Sequence, residues 1–358
     1  MRKLYFLFVL QLVAVLGCAQ NIVVKSHDMH IRYAGRIAMT DEAAELSWSA
    51  SSIKLNFKGS FIKVTLRDEH GNDYWNVILD GKIISVLQPD SIQKQYTLAT
   101  GLSEGTHTIE LFKRSEWAMG KTWFYGFELD KNAGILLPPS QQKRKMEIFG
   151  NSITCGYAIE DTTGQDRGTA PYENAYLSYA SITARHFDAE LHSTSRSGIG
   201  IMVSWYPLIM PEMYYRLDGT DAESKWDFSK YTPDLVVINL FQNDNWIVKL
   251  PDNPEFKARF GTRAPTDDQC VKAYKDFVKT VRNKYPKAQI ICALGSMDAV
   301  KEGAPWPGYI KKAVEQIGDK KILVHFFPYK NTPGHPGKKE QQAMADDLIA
   351  FIDQNIKW

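Results

Sequence analysis

The sequence predicts an α/β protein in which an antiparallel β-sandwich of the jelly-roll type precedes a doubly wound domain with a parallel sheet. Three observations support this fold class. Residues 22–130 alternate apolar and polar side chains with a period of two, whereas short apolar runs alternate with helical periodicity from residue 145 onward. The length of 358 residues suits two domains. A linker at 137–142 separates the two patterns, so we expect domains at 21–136 and 143–358.

The composition provides for a large core and gives no sign of a nucleic-acid partner. Apolar residues make up 44 % of the chain, and 43 Lys and Arg residues are interspersed with 41 Asp and Glu residues. Proteins that bind nucleic acids concentrate positive charge on one surface, and the formal net charge here is only +2. The chain also has no dense cluster of His, Asp and Glu at metal-ligand spacing. We therefore expect no nucleic-acid partner and no catalytic metal.

The N-terminus has the pattern of a secretory signal peptide over residues 1–19. Arg2 and Lys3 precede an apolar run over residues 4–16, which is too short to span a bilayer. The residues before Cys18 resemble a lipobox, which predicts lipidation of that cysteine, but a small-residue cleavage site ending at residue 19 is the alternative. We expect a secreted protein, periplasmic or an outer-membrane lipoprotein of a Gram-negative bacterium, with membrane contact only through a lipid anchor at Cys18.

The first domain is predicted to consist of short strands joined by turns. The predicted strands cover residues 52–57, 61–66, 74–79, 106–112 and 122–129. The dipeptide Asp80-Gly81 after the third of them is typical of a tight hairpin turn. Because this part has no convincing helical pattern, an antiparallel jelly roll is the expected architecture.

The second domain is predicted to be a sheet of about five parallel strands with helices on both faces. The expected strands are 146–149, 190–193, 235–240, 289–294 and 322–326, and the expected helices are 172–187, 266–285, 307–317 and 338–356. In sheets of this kind ligands bind beyond the carboxyl ends of the strands. Residues that carry chemistry are therefore sought there.

Four residues with chemistry in common fall at those positions. Ser152 follows the first strand, Gly198 the second and Asn243 the third, and His335 precedes the last helix. A serine nucleophile needs a base, and His335 is the candidate. The amides of Ser152 and Gly198 and the side chain of Asn243 would hold the oxyanion of the transition state. Each residue alone has an ordinary alternative, because serine and asparagine also cap helices and glycine is common in turns.

These residues, in this order, resemble the sequence blocks of the SGNH/GDSL hydrolase superfamily. Gly150-Asn151-Ser152 resembles the Gly-Asp-Ser block, Gly198 the glycine block, Asn243-Asp244 the Asn-Asp block and His335-Pro336 the histidine block. With a sandwich in front, the chain is most similar to carbohydrate esterase family 2. That resemblance implies a serine esterase that needs no cofactor and removes acetyl groups from acetylated plant-type polysaccharide or oligosaccharide.

The chain departs from the superfamily pattern in two of these blocks. Asn151 stands where an aspartate is usual, which keeps the shape and the hydrogen-bonding capacity of the side chain but not its charge. Phe241 stands where the third block normally has glycine, and we expect it to narrow the pocket.

The acid of a catalytic triad is also missing from its usual place. The superfamily has an aspartate two or three residues before the histidine, but Thr332 and Pro333 occupy these positions before His335. Either a backbone carbonyl holds the imidazole, which gives a Ser-His dyad, or Asp298 or Asp244 supplies the carboxylate from another loop.

Tryptophans near the blocks are candidates for sugar binding. We predict that Trp246 and Trp306 contact the substrate, although packing in the core is the ordinary role of a tryptophan. The sandwich is predicted either to form part of the cleft wall, with Trp75 or Trp117, or to stabilise the second domain.

The predicted function is that of a secreted carbohydrate O-acetyl esterase that works through an acetyl-enzyme. Two alternatives stay open. One is a lipid or thioester acylhydrolase, since the superfamily contains both. The other is a polysaccharide-binding surface protein with weak or lost esterase activity, which the departures at residues 151, 332 and 333 allow.

Overall fold

The chain folds into two antiparallel sheets followed by one parallel sheet, which confirms the predicted fold class. The structure is a computed structural model and describes residues 20–357. The predicted signal peptide and the lipidation of Cys18 therefore lie outside the described residues. Across 20–357, no helix combines the length and the apolar character needed to span a membrane.

The first domain is a β-sandwich of two six-stranded sheets. Its strands are β1 (Ile22–Lys25), β2 (Arg32–Ala34), β3 (Ile37–Met39), β4 (Ala44–Leu46), β5 (Ser52–Lys58), β6 (Phe61–Asp68), β7 (Trp75–Leu79), β8 (Lys82–Leu87), β9 (Lys94–Thr100), β10 (His107–Lys113), β11 (Thr122–Leu129) and β12 (Gly134–Ile135). One sheet has the order β3-β4-β11-β6-β9 with β1 beside β11, and the other has the order β12-β5-β10-β7-β8 with β2 beside β5. Successive side chains of a strand point to opposite faces, so the apolar ones from both sheets meet in one core.

The tight turn predicted at Asp80-Gly81 joins β7 to β8. Both residues have positive φ, 50° and 78°, as a two-residue hairpin turn of the primed type requires. The sequence pattern does not predict the short strands β1 to β4 and β12, nor β8 and β9. In β8 almost every side chain is exposed, so that strand carries no alternation that could reveal it.

The second domain contains five parallel strands in the order β14-β13-β15-β16-β17. These strands are β13 (Arg144–Gly150), β14 (Ala189–Ser195), β15 (Leu235–Asn239), β16 (Gln289–Leu294) and β17 (Ile322–Phe326). The helices are α1 (Ser152–Cys155), α2 (Tyr179–His186), α3 (Met210–Met213), α4 (Gln242–Ile247), α5 (Pro254–Phe260), α6 (Asp267–Lys284), α7 (Trp306–Ile317) and α8 (Lys338–Asn355). The first strand of this domain, β13, lies between the second and the third. Later strands are therefore added first on one side of β13 and then on the other, and α/β proteins bind ligands at such a switch point.

Helices cover both faces of the parallel sheet. In β15, Leu235 and Val237 belong to the core cluster that includes α2 and α8, whereas Val236 and Ile238 belong to the cluster that includes α6 and α7. A strand covered on both sides is mostly apolar, which explains why runs such as that of β15 are visible in the sequence pattern.

The predicted helix at 172–187 begins later than expected. Two short 3-10 turns, Ala170–Tyr172 and Ala175–Leu177, precede α2. The Asn174 amide donates to the Gly156 carbonyl at 3.1 Å, and this tertiary hydrogen bond draws the backbone out of the helical path.

The sandwich packs directly against the second domain. Trp48 joins an apolar cluster of the second domain and donates from Nε1 to the Leu217 carbonyl at 2.7 Å. Trp75, in contrast, lies in the core of the sandwich and is 0 % exposed. The expectation that Trp75 lines a substrate cleft is therefore wrong, because its position in the sandwich core keeps it from any cleft.

Candidate active site

The two catalytic candidates are in direct contact. Ser152 is the first residue of α1, immediately beyond β13, and His335 lies in the loop before α8. Ser152 Oγ is 2.9 Å from His335 Nε2, which is hydrogen-bonding distance for a nucleophile and its base. The ring of Tyr157 packs against the imidazole with centroids 4.3 Å apart. The histidine is thus fixed on one side by an aromatic ring and aimed at the serine.

Asp166 completes the constellation. Its carboxylate oxygens lie 3.0 and 2.9 Å from His335 Nδ1, and one of them accepts the His335 amide at 2.9 Å. Burial acts to raise the pKa of Asp166, but hydrogen bonds from the His335 ring and amide and the charge of Lys330 outweigh it and lower the pKa. An ionised carboxylate here orients the imidazole and stabilises its protonated form.

The carboxylate predicted to come from Asp298 or Asp244 comes from neither. Asp244 is buried beneath the loop after β14 and accepts the amides of residues 201–203 at 2.7 to 3.2 Å. Burial raises the pKa of Asp244 to about 6. Asp298 accepts Trp246 Nε1 at 3.0 Å. The dyad with a backbone carbonyl is likewise not what the structure has, since Asp166 occupies Nδ1.

Little in the sequence could have identified Asp166. It lies in the long loop between α1 and α2, flanked by Gly164 and Gly168, and such a loop has no periodicity that would fix its direction. Its position depends on the Gly334 turn, where an added Cβ would lie 3.0 Å from the Asp166 carboxyl carbon. Only the fold brings these two loops together.

The oxyanion-hole candidates lie at the ends of neighbouring strands. The loop after β14 starts with the Arg196 amide bonded to the Gly150 carbonyl at 3.3 Å, so it continues beside the end of β13. Gly198 has φ +81°, a conformation that glycine adopts without strain. Within residues 20–357 the Gly198 amide has no hydrogen-bond acceptor. Asn243 donates from Nδ2 to the Ile199 carbonyl at 2.7 Å, which leaves the second Nδ2 hydrogen available.

Asn151 caps the helix that begins at Ser152. Its Oδ1 accepts the Ile153 amide at 3.1 Å and so caps the N-terminus of α1. An asparagine oxygen accepts this bond as an aspartate oxygen does, which explains why the helix still begins at Ser152.

Phe241 and Trp306 both point into the core. Phe241 is 0 % exposed and its ring lies 4.8 Å from the rings of Tyr274 and Trp306. Phe241 does not narrow the pocket, contrary to the prediction, but its φ of +85° shows why glycine is usual at this position. Trp306 is only 2 % exposed, so the prediction that it binds substrate is wrong: it packs between Phe241 and α6.

A cleft adjoins His335. Its cavity measures about 500 Å³ and is lined by Asp166, Trp246, Met297, Asp298, Tyr329 and residues 330–335. Trp246 is half-buried there, with its indole nitrogen fixed by Asp298. The exposed Trp205 donates from Nε1 to Asn243 Oδ1 at 3.1 Å and so lies beside the oxyanion-hole candidates.

One buried cluster has side chains that can bind metals. The ligand atoms of Glu116, Cys155 and Glu173 lie within 4.8 Å of one another. Burial, together with the two glutamates, raises the pKa of the Cys155 thiol well above its ordinary value. In this structure the set is engaged in hydrogen bonds, since the Cys155 thiol lies 3.4 Å from Ser195 Oγ and 3.7 Å from Glu116 Oε2.

Comparisons with known proteins show which family the chain belongs to. The family model described as "Carbohydrate esterase 2 N-terminal" matches residues 33–139. Cellulase/esterase CelE of Acetivibrio thermocellus is 33 % identical over 342 residues, which cover 92 % of this chain but only 40 % of that relative. An acetylxylan esterase / glucomannan deacetylase of Cellvibrio japonicus is 26 % identical over 344 residues, 94 % of this chain and 91 % of that protein.

One solved structure is similar to this chain over nearly the whole length of both proteins. A family two carbohydrate esterase from Clostridium thermocellum, in complex with cellohexaose, is 33 % identical and has a TM-score of 0.80, with 90 % of this chain and 98 % of that chain covered. The chain therefore belongs to carbohydrate esterase family 2, whose named members are carboxylic ester hydrolases.

Proposed function

We propose that this protein is a secreted serine esterase that removes acetyl groups from a polysaccharide or oligosaccharide. The observation that carries the proposal is the hydrogen-bonded series Ser152, His335 and Asp166, with contacts of 2.9 Å on each side of the imidazole. A nucleophile, its base and an orienting acid in contact form an arrangement that is suited to acyl transfer.

The residues suggest a two-step reaction. His335 Nε2 takes the proton of Ser152 as Oγ attacks the acetyl carbonyl, and the same nitrogen then gives that proton to the ester oxygen of the sugar, which leaves as a hydroxyl. An acetyl-enzyme remains, which water hydrolyses to acetate with His335 again as base. The Ser152 and Gly198 amides and the Asn243 side chain would hold the oxyanion in both steps. Asp166 stabilises the imidazolium throughout, and no step calls for a cofactor.

The cleft favours a carbohydrate ester over a lipid ester. Trp246 can offer a ring face to a sugar, and the rest of the lining is mainly polar side chains and backbone rather than an apolar tunnel. Two relatives are named for acetylxylan and glucomannan, and a third was solved with cellohexaose. Acetylated β-linked plant polysaccharides are therefore the proposed substrates.

The geometry also favours catalysis over binding alone. In a protein without esterase function, nothing would require the base to keep its hydrogen bonds. Here both nitrogens of the His335 ring have partners, Asp166 and Ser152. The polysaccharide-binding alternative remains as an outcome of the test.

The test is acetate release from acetylated xylan, glucomannan and pectin by the wild-type protein and by Ser152→Ala. We expect release by the wild type, and loss of at least about 10³-fold in the variant with unchanged melting temperature. Trp246→Ala should raise KM for the polymer but leave kcat and KM for 4-nitrophenyl acetate unchanged.

Three results would contradict the proposal. Retained activity in folded Ser152→Ala would show that Ser152 is not the nucleophile. Faster hydrolysis of long-chain than of acetyl 4-nitrophenyl esters would favour the acylhydrolase. Binding of polymer with no acetate release by the wild type would favour the binding protein.

We also propose that residues 1–19 direct secretion, with Cys18 as a lipid attachment site. Incorporation of labelled palmitate into the wild type but not into Cys18→Ala would support lipidation. Release of a soluble protein that starts after residue 19 would contradict it.

A further inference from the structure

A buried contact links the β-sandwich to the loop that carries Gly198. Glu116, in the turn after β10, is 2 % exposed, and its Oε2 accepts the Ser197 amide at 2.6 Å. The next residue, Trp117, covers the guanidinium of Arg196 at 4.3 Å. Two consecutive sandwich residues therefore contact the two residues that precede Gly198.

A second contact fixes the other end of Ser197. The Tyr206 hydroxyl donates to the Ser197 carbonyl at 2.9 Å, and the Tyr206 ring also contacts the Arg196 guanidinium, at 3.6 Å. The Ser197 carbonyl and the Gly198 N–H belong to the same planar peptide unit, in which they point in opposite directions. Whatever holds this carbonyl therefore also sets the direction of the Gly198 N–H.

Glu116 is itself held rigidly. Its own amide donates to Glu173 Oε1 at 2.9 Å, and the Cys155 thiol lies 3.7 Å from Glu116 Oε2. Arg114 in turn donates to the Glu173 carbonyl at 3.3 Å. The acceptor for the Ser197 amide thus belongs to a packed polar group between the domains and has no freedom to follow a moving loop.

We propose that Glu116 and Tyr206 are positioning residues that together fix the Ser197–Gly198 peptide so that its N–H faces the acyl oxygen. The β-sandwich is then part of the catalytic machinery, because the second domain alone lacks the acceptor for the Ser197 amide. This inference rests on the proposed function, in which Gly198 is an oxyanion donor. Oxyanion donors act only when they are preorganised, and a misplacement of about 1 Å can lower the rate about 10²-fold.

The test compares Tyr206→Phe, Glu116→Ala and Glu116→Gln with Ser47→Ala. Ser47 is the matched control, because this sandwich residue also accepts a backbone amide of the second domain, that of Gly219 at 3.1 Å, but not in the Gly198 loop. For each variant kcat and KM on 4-nitrophenyl acetate, the labelling rate of Ser152 by a fluorophosphonate, and the melting temperature are measured. The phosphonyl oxygen occupies the oxyanion position, so labelling reports that hole independently of any carbohydrate.

For Tyr206→Phe and Glu116→Ala we expect kcat to fall about 10- to 100-fold with KM nearly unchanged, and the labelling rate to fall in proportion. Glu116→Gln should recover most of the loss, since its amide oxygen still accepts the Ser197 amide. Ser47→Ala should stay within about twofold of the wild type whatever its melting temperature. Tyr206→Phe removes one hydroxyl only, so it carries the test if Glu116→Ala does not fold.

Wild-type kcat and labelling in Tyr206→Phe would overturn the proposal, as would equal losses in Ser47→Ala. A wild type that is labelled but releases no acetate from polysaccharide would overturn the proposed function and leave the positioning role standing. A wild type that is not labelled at all would contradict both.

Discussion

Asp166 holds His335 from a loop that lies 169 residues earlier in the chain. Its two oxygens share the Nδ1 proton, and one of them also accepts the His335 amide. The same carboxylate therefore sets both the rotation of the imidazole and the path of the backbone that carries it. This double contact takes the place of the aspartate that usually precedes the histidine in the sequence.

Asp166→Asn should strongly reduce catalysis. The amide cannot stabilise the imidazolium, and its NH2 group would oppose the tautomer that leaves Nε2 free to take a proton. The Asp166 side chain is 34 % exposed, so water can partly replace it. We therefore expect kcat/KM on 4-nitrophenyl acetate to fall about 10²- to 10⁴-fold.

Asp298→Asn is the control, since that residue contacts Trp246 and not the histidine. A loss of less than about threefold is expected there. Parity between Asp166→Asn and Asp298→Asn would mean that His335 acts without a carboxylate.

The sequence predicted that Ser152 and His335 act together, and the structure places them in contact, but the sequence did not predict Asp166, for a physical reason. The carboxyl ends of parallel strands lie at one edge of the sheet, so a serine after the first strand and a histidine between the last strand and the last helix are both expected at that edge. Asp166 follows no such rule, because it depends on how two irregular loops pack. The role proposed for Trp306 failed for a related reason: its placement at the start of α7 and its burial behind Phe241 are properties of the tertiary fold.

Phe241 provides a test of backbone strain near the site. Its left-handed conformation disfavours a side chain, but its ring fills the core between Tyr274 and Trp306. Removal of the ring should cost about 3–5 kcal/mol, and a Cβ in this conformation about 1 kcal/mol more than glycine. Both Phe241→Gly and Phe241→Ala should therefore be less stable than the wild type in urea unfolding, with the glycine variant about 1 kcal/mol more stable than the alanine variant. An alanine variant as stable as the glycine variant would show that residue 241 is not left-handed.

Asp161 makes the loop of Asp166 sensitive to acid. It accepts the amides of Thr163 and Arg167 and the Arg167 guanidinium at 2.8 to 3.0 Å, and the Arg167 contacts foremost lower the pKa of Asp161. A lowered folded-state pKa means that the stabilisation is complete above the ordinary aspartate pKa of about 3.9 and is lost as the pH falls below it.

Asp161→Asn should therefore lower the melting temperature at pH 7, and the gap to the wild type should narrow between about pH 4 and pH 2.5. Melting curves of both proteins across this range check the sign. A gap that widens in acid would contradict it.

The Arg36–Glu147 pair should make the stabilities of the two domains interdependent. Arg36 comes from the sandwich and Glu147 from β13; they are 2.6 Å apart, with side chains 1 % and 0 % exposed. Removal of either partner leaves the other charged and buried, so Arg36→Met and Glu147→Met should each cost about 3–5 kcal/mol in urea unfolding. The double variant leaves no unpaired charge and should lose clearly less than the sum of the two single losses. Additive losses would show that the two side chains do not interact. Single losses below about 1 kcal/mol would show that water reaches the pair, and hence that the interface between the domains is open.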